Sequence, residues 1–149
     1  MAMVEEIAAY LSTQLALTPG VSLFANVLPE TSGRAVGIFE APGVGAVQRF
    51  GSPLPAFERP RIMVVARSTA GAGGSPSSTG ARTLAGAAWR ALIKVVNQPL
   101  PSSTVAASHQ AQYLHIEPLS SPYLAERDAK GRYLFSFTAD IARVATTNG

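Results

Sequence analysis

The stretch that decides the fold is YLHIEPLSSPYLAERDAKGRYLFSFTADIARV, residues 113–144. It predicts a strand over 113–117, a long turn that prolines break at 118–122 and polar residues continue at 128–131, and a second strand. Apolar side chains of the second strand recur at every second position, at Tyr133, Phe135, Phe137, Ala139 and Ile141. Because that period places them on one face of a strand, we expect this face to pack on a hydrophobic core.

Two stretches upstream have the spacing of amphipathic helices. The first carries apolar residues at helical intervals and should end at the pair Pro19-Gly20; they are Val4, Ile7, Ala8, Leu11 and Leu15. The second is predicted from about Gly80 to Val96, and its apolar stripe consists of Leu84, Ala88, Leu92 and Val95. Both helices are therefore expected to pack on a sheet.

The segment between the helices supplies further strands. Residues 21–28 and 35–40 are strand candidates, and residues 61–67 are apolar on both faces, which favours a central strand with cover on each side. The order helix, two or three strands, helix, two strands predicts an α+β fold with a mostly antiparallel sheet. Residues 1–149 are expected to form a single domain, since domains most often span about 100–150 residues.

Composition excludes several classes of protein. The chain has no cysteine, so disulfides, thiolate metal sites and cysteine nucleophiles are ruled out. Its net charge is +3, but the basic residues are scattered and the densest group is Arg59, Arg61 and Arg67. Non-specific nucleic-acid binding as a primary function is therefore disfavoured. No apolar run approaches the ~18 residues of a membrane span, and no signal peptide precedes the first helix, so no membrane partner is expected.

Two glycine-rich stretches predict loops. Residues 69–80 are rich in Gly and Ser, and this composition is typical of a flexible loop. A phosphate-binding loop is excluded there, because Ala81-Arg82 follows Gly80 where lysine and serine or threonine would be required. We expect this loop and residues 41–51 to become ordered against neighbouring subunits.

No constellation of residues points to catalysis or to a cofactor. His109 and His115 are too few and too far apart for a histidine metal cluster. On its strand, His115 should share a surface face with Tyr113 and Glu117, opposite Leu114 and Ile116. Glu126 and Asp128 are interpreted as a solvated turn with local ion pairing. We therefore expect no catalytic, cofactor-binding or metal-binding residues, and no enzyme activity.

The chain resembles a phage family of minor capsid and tail terminator proteins. The resemblance is carried by EEIAAYL at 5–11, NVLP at 26–29, AVGIFE at 35–40, FERPRIMV at 57–64, PLSSPY at 118–123 and RDAKGR at 127–132. The Gly/Ser-rich residues 70–80 depart from the family pattern. The resemblance implies a tail-terminator-like α+β fold.

In function, the resemblance implies a structural ring, commonly of six copies, that terminates the tail tube at the head–tail junction of the virion. The implied partners are the chain itself, the tail tube protein, a head-completion or neck protein, and DNA passing transiently through the ring; synthesis would be in the host cytoplasm. The candidate subunit-interface residues are Trp89, Arg49, Arg59, Arg61, Tyr123, Arg127, Asp128 and Lys130. A different neck protein, a stopper or an adaptor, and a small nucleic-acid-binding module are the alternatives.

Overall fold

A computed structural model of the chain describes residues 2–29, 33–41, 47–48, 55–68, 78–100, 112–127 and 131–144. These residues form two helices, α1 (Ala2–Leu15) and α2 (Ser78–Ile93). They also form the strands β1 (Leu23–Ala25), β2 (Ala35–Ala41), β3 (Val47–Gln48), β4 (Pro55–Glu58), β5 (Arg61–Arg67), β6 (Val96–Pro99), β7 (Gln112–Pro118), β8 (Tyr123–Arg127) and β9 (Tyr133–Val144). The strands make one sheet, in which only the β1–β2 pair is parallel. The predicted α+β class with a mostly antiparallel sheet is confirmed.

Strand β9 organises the sheet because other strands line both of its edges. On one edge it pairs with β5 and then with β4, and the register is the same throughout: Phe57 pairs with Val144, and Arg67 pairs with Leu134. The amide of Ile141 donates to the carbonyl of Pro60 at 2.8 Å, which spans the gap between the two strands. Strands β4 and β5 therefore act as one long strand against β9.

The other edge of β9 corrects the prediction of one long turn between two strands. Strand β7 pairs with residues 139–143 of β9, and β8 pairs with residues 133–136 of the same edge. Residues 119–122 connect β7 to β8, and we call this connection the arch. The amide of Leu119 still donates to the carbonyl of Thr138 at 2.9 Å. The prolines thus interrupt a strand that resumes at Tyr123, because β9 continues to offer it a hydrogen-bonding edge.

The hydrophobic core lies between the two helices and one face of the sheet. The predicted β9 face is confirmed, since the side chains of Phe135, Phe137, Ala139 and Ile141 are all buried there and Tyr133 packs against them. Strand β5 is central, between β2 and β9, as predicted. The expected cover on both of its faces is borne out in part: Ile62 and Val64 join the core, and Val65 on the other face is also buried, while Met63 on that face is only half-buried.

A register shift in β7 changes the predicted faces of that strand. The shift falls between Tyr113, which pairs with Arg143, and His115, which pairs with Ala142. Such a bulge inserts an extra residue and reorients the side chains on either side of it. Tyr113 is therefore buried in the core with Ile116, whereas His115 is exposed on the opposite face as predicted.

Helix α1 ends before the predicted stop at Pro19-Gly20. Its last helical residue is Leu15, and Ala16 adopts a left-handed conformation with φ of 54°. The amide of Leu17 donates to the carbonyl of Ser12 at 3.2 Å, which is the hydrogen bond of a Schellman motif. The motif ends the helix by satisfying a terminal carbonyl, although alanine rarely occupies that position.

Two buried polar contacts fix α1 to the rest of the molecule. The hydroxyl of Tyr10 donates to the carbonyl of Ala91 at 2.7 Å, and so uses a carbonyl near the end of α2. At the end of β9, the guanidinium Nη1 of Arg143 lies 3.3 Å from Oε1 of Glu6 and 3.5 Å from the hydroxyl oxygen of Tyr113. Polar groups in a core are tolerated when they are paired in this way.

The structure describes only part of each of the two predicted loops. Helix α2 begins at Ser78, so the last three residues of the predicted loop 69–80 are helical. Residues 69–77 of that loop lie outside the described residues. So do residues 42–46 and 49–51 of the predicted loop 41–51, whereas Ala41, Val47 and Gln48 belong to strands.

Candidate functional site

Several exposed apolar side chains lie together at β8. We define the β8 surface as Leu119, Tyr123, Leu124 and Glu126. Tyr123 and Leu124 are each 51% exposed, and Leu119 and Glu126 are also exposed. Within the described residues β8 pairs with β9 alone, so its outer edge offers unpaired backbone groups. Apolar side chains on an open edge are typical of a protein–protein contact.

Trp89 supports this surface from the helix layer. It projects from α2, packs partly buried against the core, and donates from its indole Nε1 to the carbonyl of Ser120 at 3.1 Å. The arch is thus held by α2 through Ser120 and by β9 through the amide of Leu119. These two hydrogen bonds fix the position at which β8 begins. Trp89 therefore helps to position the β8 edge of the sheet.

A second exposed surface lies on the opposite edge of the sheet. We define the β1 surface as Val21, Val27 and Arg34, all of which are exposed. A turn before β1 places Val21: the amide of Val21 donates to the carbonyl of Thr18 at 3.0 Å. Gly20 completes the turn in a left-handed conformation with φ of 81°. Asn26 Oδ1 accepts from the amide of Glu40 at 3.2 Å and so ties the segment after β1 to β2.

Arg61 and Arg59 lie apart from Tyr123, although all three are predicted interface residues. Arg61 pairs with Asp140 on the β5 edge of β9, whereas Tyr123 pairs with Ser136 on the other edge. Nε and Nη2 of Arg61 bind the Asp140 carboxylate at 2.6 and 3.3 Å. This hydrogen bonding raises the pKa of Arg61 above its usual value. The Arg61 guanidinium is thus paired within the subunit, whereas Arg59 is exposed between β4 and β5.

The remaining predicted interface residues are only partly described. Arg127 is the last residue of β8, where its backbone pairs with Tyr133. Arg49, Asp128 and Lys130 lie outside the described residues. Glu126 is in a strand, so its predicted place in a polar turn is wrong. The sequence pattern did not single out Leu119, Leu124, Val21, Val27 or Arg34, because exposure of an apolar residue on a strand edge has no local signature.

The exposed side of α2 carries a row of basic residues. Arg82 and Arg90 are exposed on the helix, Lys94 is exposed directly after its last residue, and the helix sequence contains no acidic residue. Arg90 and Lys94 are about 6 Å apart along the axis, from the rise of an α-helix. Neither forms an ion pair with another described residue. The Arg82 guanidinium lies 5.2 Å from the centroid of the Phe135 ring, in a cation–π contact.

The described ranges contain no group of three His, Cys, Asp or Glu side chains arranged to hold a metal ion. None of their helices combines the length and hydropathy required to cross a bilayer.

Comparisons with known proteins give a family match and a similar fold. A family described as bacteriophage tail terminator protein matches residues 10–144. Among solved structures, a chain from the virion of a native gene transfer agent particle has a similar fold, with a TM-score of 0.57 and 14% sequence identity. The similarity covers 97% of this chain and 96% of that chain. No curated protein gives a significant match.

Proposed function

This chain belongs to the bacteriophage tail terminator family, and from that premise we propose that it forms a closed ring that ends the tail tube and joins it to the head-completion proteins. The family membership makes it a structural protein of a virion tail rather than a member of an enzyme family. Beyond family membership, we propose that the chain forms a ring of six copies. We propose that this ring lies at the head–tail junction. We also propose that residues 1–149 form a single domain.

The observation that carries the proposal is the family match over residues 10–144, which extends from α1 to the end of β9 and so includes the whole described sheet. The fold shared with a chain of a virion particle supports it. A ring further requires two different contact surfaces on each subunit, which meet head to tail. The β8 surface and the β1 surface, on opposite edges of the sheet, are compatible with that requirement.

The proposal is tested by particles made without this protein. We expect electron micrographs to show separate heads and tails, with tails of irregular length, because no ring would end the tube or bind the head. Supplying the wild-type chain in trans should restore joined particles. A Glu5→Gln variant is the matched control, since Glu5 is an exposed residue of α1. Normal particles that lack the protein would refute the proposal.

A tail terminator is distinguished from a stopper or adaptor by the protein it binds first. We expect the purified chain to bind the end of an assembled tail tube in the absence of heads. A stopper or adaptor would bind tail-free heads instead. Pull-down of each isolated partner with the tagged chain compares the two directly, and binding to heads alone would reassign the chain to a neck protein.

The basic row on α2 favours a second candidate function, contact with DNA. Exposed Arg and Lys side chains without acidic neighbours attract phosphate groups, and such binding weakens steeply as salt rises. We expect the contact to be weak, since DNA must pass through the ring. Fluorescence anisotropy with labelled duplex DNA at several salt concentrations measures it. An Arg90→Gln, Lys94→Gln variant should lose the binding, and absence of binding by the wild type at low salt would exclude this function.

A further inference from the structure

We infer that the arch and β8 form a strap that opens away from β9 while the rest of the subunit stays folded, and that Trp89 is the latch that holds it closed. The strap is defined as residues 119–127, which include the whole of β8. This motion lies within one subunit and does not depend on the proposed ring. Three features carry the inference: the exposure of the strap's side chains, the hydrogen bonds that fasten it, and a buried hydroxyl beneath it.

The strap contributes little to the hydrophobic core. The side chains of residues 123–126 are all exposed, and among the described residues β8 has β9 as its only neighbouring strand. A register shift between Leu124 and Glu126 further interrupts its pairing. Strand β7 lies against the same edge of β9, but it buries Tyr113 and Ile116 in the core. Because segments that bury few apolar side chains open at a low free energy, β8 should separate from β9 far more often than β7 does.

Two hydrogen bonds fasten the strap at its arch end. The amide of Leu119 donates to the carbonyl of Thr138 at 2.9 Å, and the indole Nε1 of Trp89 donates to the carbonyl of Ser120 at 3.1 Å. At the other end the chain leads directly from β8 into β9, so covalent connection keeps that end close. The bond from Trp89 is exposed, so water can replace it when the strap opens. Opening should therefore begin at the arch end, and Trp89 sets how easily it begins.

A buried hydroxyl lies where the strap begins to pair with β9. Ser136 is directly opposite Tyr123, so the two side chains lie side by side on the same face of the sheet. Ser136 is 2% exposed, and its Oγ forms no hydrogen bond with any described residue. A buried hydroxyl without a partner costs free energy that contact with water removes. Movement of Tyr123 away from Ser136 hydrates this hydroxyl, so the closed strap is destabilised at its first pair.

Amide hydrogen exchange in the purified full-length chain tests the inference. Those amides of residues 123–127 that hydrogen-bond to β9 should exchange at a rate that low concentrations of urea leave unchanged, because a local opening exposes little surface. The amides of β7 are the internal comparison, and they should exchange through unfolding that urea promotes strongly. Equal urea dependence in β7 and β8 would overturn the inference, since both strands would then open together with the whole sheet.

Two substitutions should shift the strap in opposite directions. Trp89→Phe removes the latch bond and keeps an aromatic ring, so strap exchange should become roughly two- to ten-fold faster, the range of one hydrogen bond. Ser136→Ala removes the buried hydroxyl, so strap exchange should become at least about five-fold slower. The exchange rate of β7 in each variant corrects for any change in global stability. Strap exchange that Trp89→Phe leaves unchanged relative to β7 would overturn the latch.

A reversible covalent lock supplies a matched control within one chain. The wild type has no cysteine, so Tyr123→Cys combined with Ser136→Cys allows a single disulfide across the first pair of the strap. When oxidised, this variant should lose the fast exchange of residues 123–127, and reduction should restore it. Fast exchange that persists in the oxidised form would overturn the inference, because these amides would then exchange without separation of β8 from β9.

Discussion

The side chain of Arg143, near the end of β9, forms an ion pair with Glu6 of α1 at 3.3 Å, with the two side chains only 12% and 4% exposed. The pair joins residues from opposite ends of the sequence inside the core. Tyr113 extends it, since the Arg143 guanidinium lies 6.0 Å from the centroid of its ring. Removal of one partner from a buried ion pair leaves the other charge without compensation.

We therefore predict that Glu6→Gln lowers the free energy of unfolding by about 3–5 kcal/mol. Urea denaturation followed by circular dichroism measures the change. Glu5→Gln is the matched control, because Glu5 is the adjacent residue on the exposed side of α1, and it should change stability by less than about 0.5 kcal/mol. Equal effects of the two substitutions would contradict a specific role for the buried pair.

Substitution of Tyr10 by Phe should destabilise the contact between the helices. The change removes the buried hydrogen bond to Ala91 and leaves that carbonyl without its partner, at a cost of about 1–3 kcal/mol near neutral pH. Chemical denaturation of the variant measures this. Tyr123→Phe is the control, since the Tyr123 ring is exposed, and a similar loss in both variants would argue against the assigned bond.

Tyr10 also predicts a dependence of stability on pH. Burial raises the pKa of Tyr10 above its ordinary value of 10.0, so the folded protein favours the neutral phenol. The resulting stability is fully present below pH 10.0 and is lost as pH rises through the higher pKa of the folded state. The difference in unfolding free energy between wild type and Tyr10→Phe should therefore shrink above that pH. A constant difference across the range would contradict this linkage.

Phe137 should be among the most sensitive positions of the sheet. Its side chain is 0% exposed on the core face of β9, and deletion of a buried ring leaves a cavity. We expect Phe137→Ala to lower the free energy of unfolding by about 3–5 kcal/mol. Leu124→Ala on the exposed edge is the comparison, and it should cost less than about 1 kcal/mol in the isolated subunit. A loss below that value for Phe137→Ala would place the ring outside the core.

Ala16 offers a stabilising substitution. Its φ of 54° costs an alanine about 1–2 kcal/mol that a glycine does not incur, although glycine also gains entropy in the unfolded chain. We expect Ala16→Gly to raise the free energy of unfolding by roughly 1 kcal/mol. Thermal denaturation detects the increase. Gly86→Ala probes the opposite case: Gly86 lies within α2 and lacks a positive φ, so alanine should be favoured there.

Strand β9 could be predicted from sequence because its alternation is local and its core face is uniformly apolar. Strand β8 could not, because prolines precede it and its side chains are exposed, so that only the edge of β9 makes it a strand. The end of α1 was misplaced for a related reason: the Schellman hydrogen bond joins Ser12 and Leu17 around an alanine that seldom adopts that conformation. In each case the deciding interaction is absent from the residue pattern itself.

The candidate interface residues also depend on interactions that the residue pattern does not contain. Arg61 is a predicted interface residue, but its partner Asp140 is 79 residues away in sequence and binds its guanidinium within the subunit. Such relations depend on sheet order, which a single sequence does not specify. Trp89 could be predicted only in part: the sequence indicates its helix but not its hydrogen bond to Ser120.

The place of β9 in the chain has a consequence for the timing of folding. Strands β5 and β7 both require β9 as a neighbour, and β9 is the last of the described strands to be synthesised. A nascent chain on the ribosome therefore cannot complete its central sheet until residue 144 has left the exit tunnel, and contacts of such long sequence separation form slowly. Chains released before that point lack the strand that joins β5 to β7.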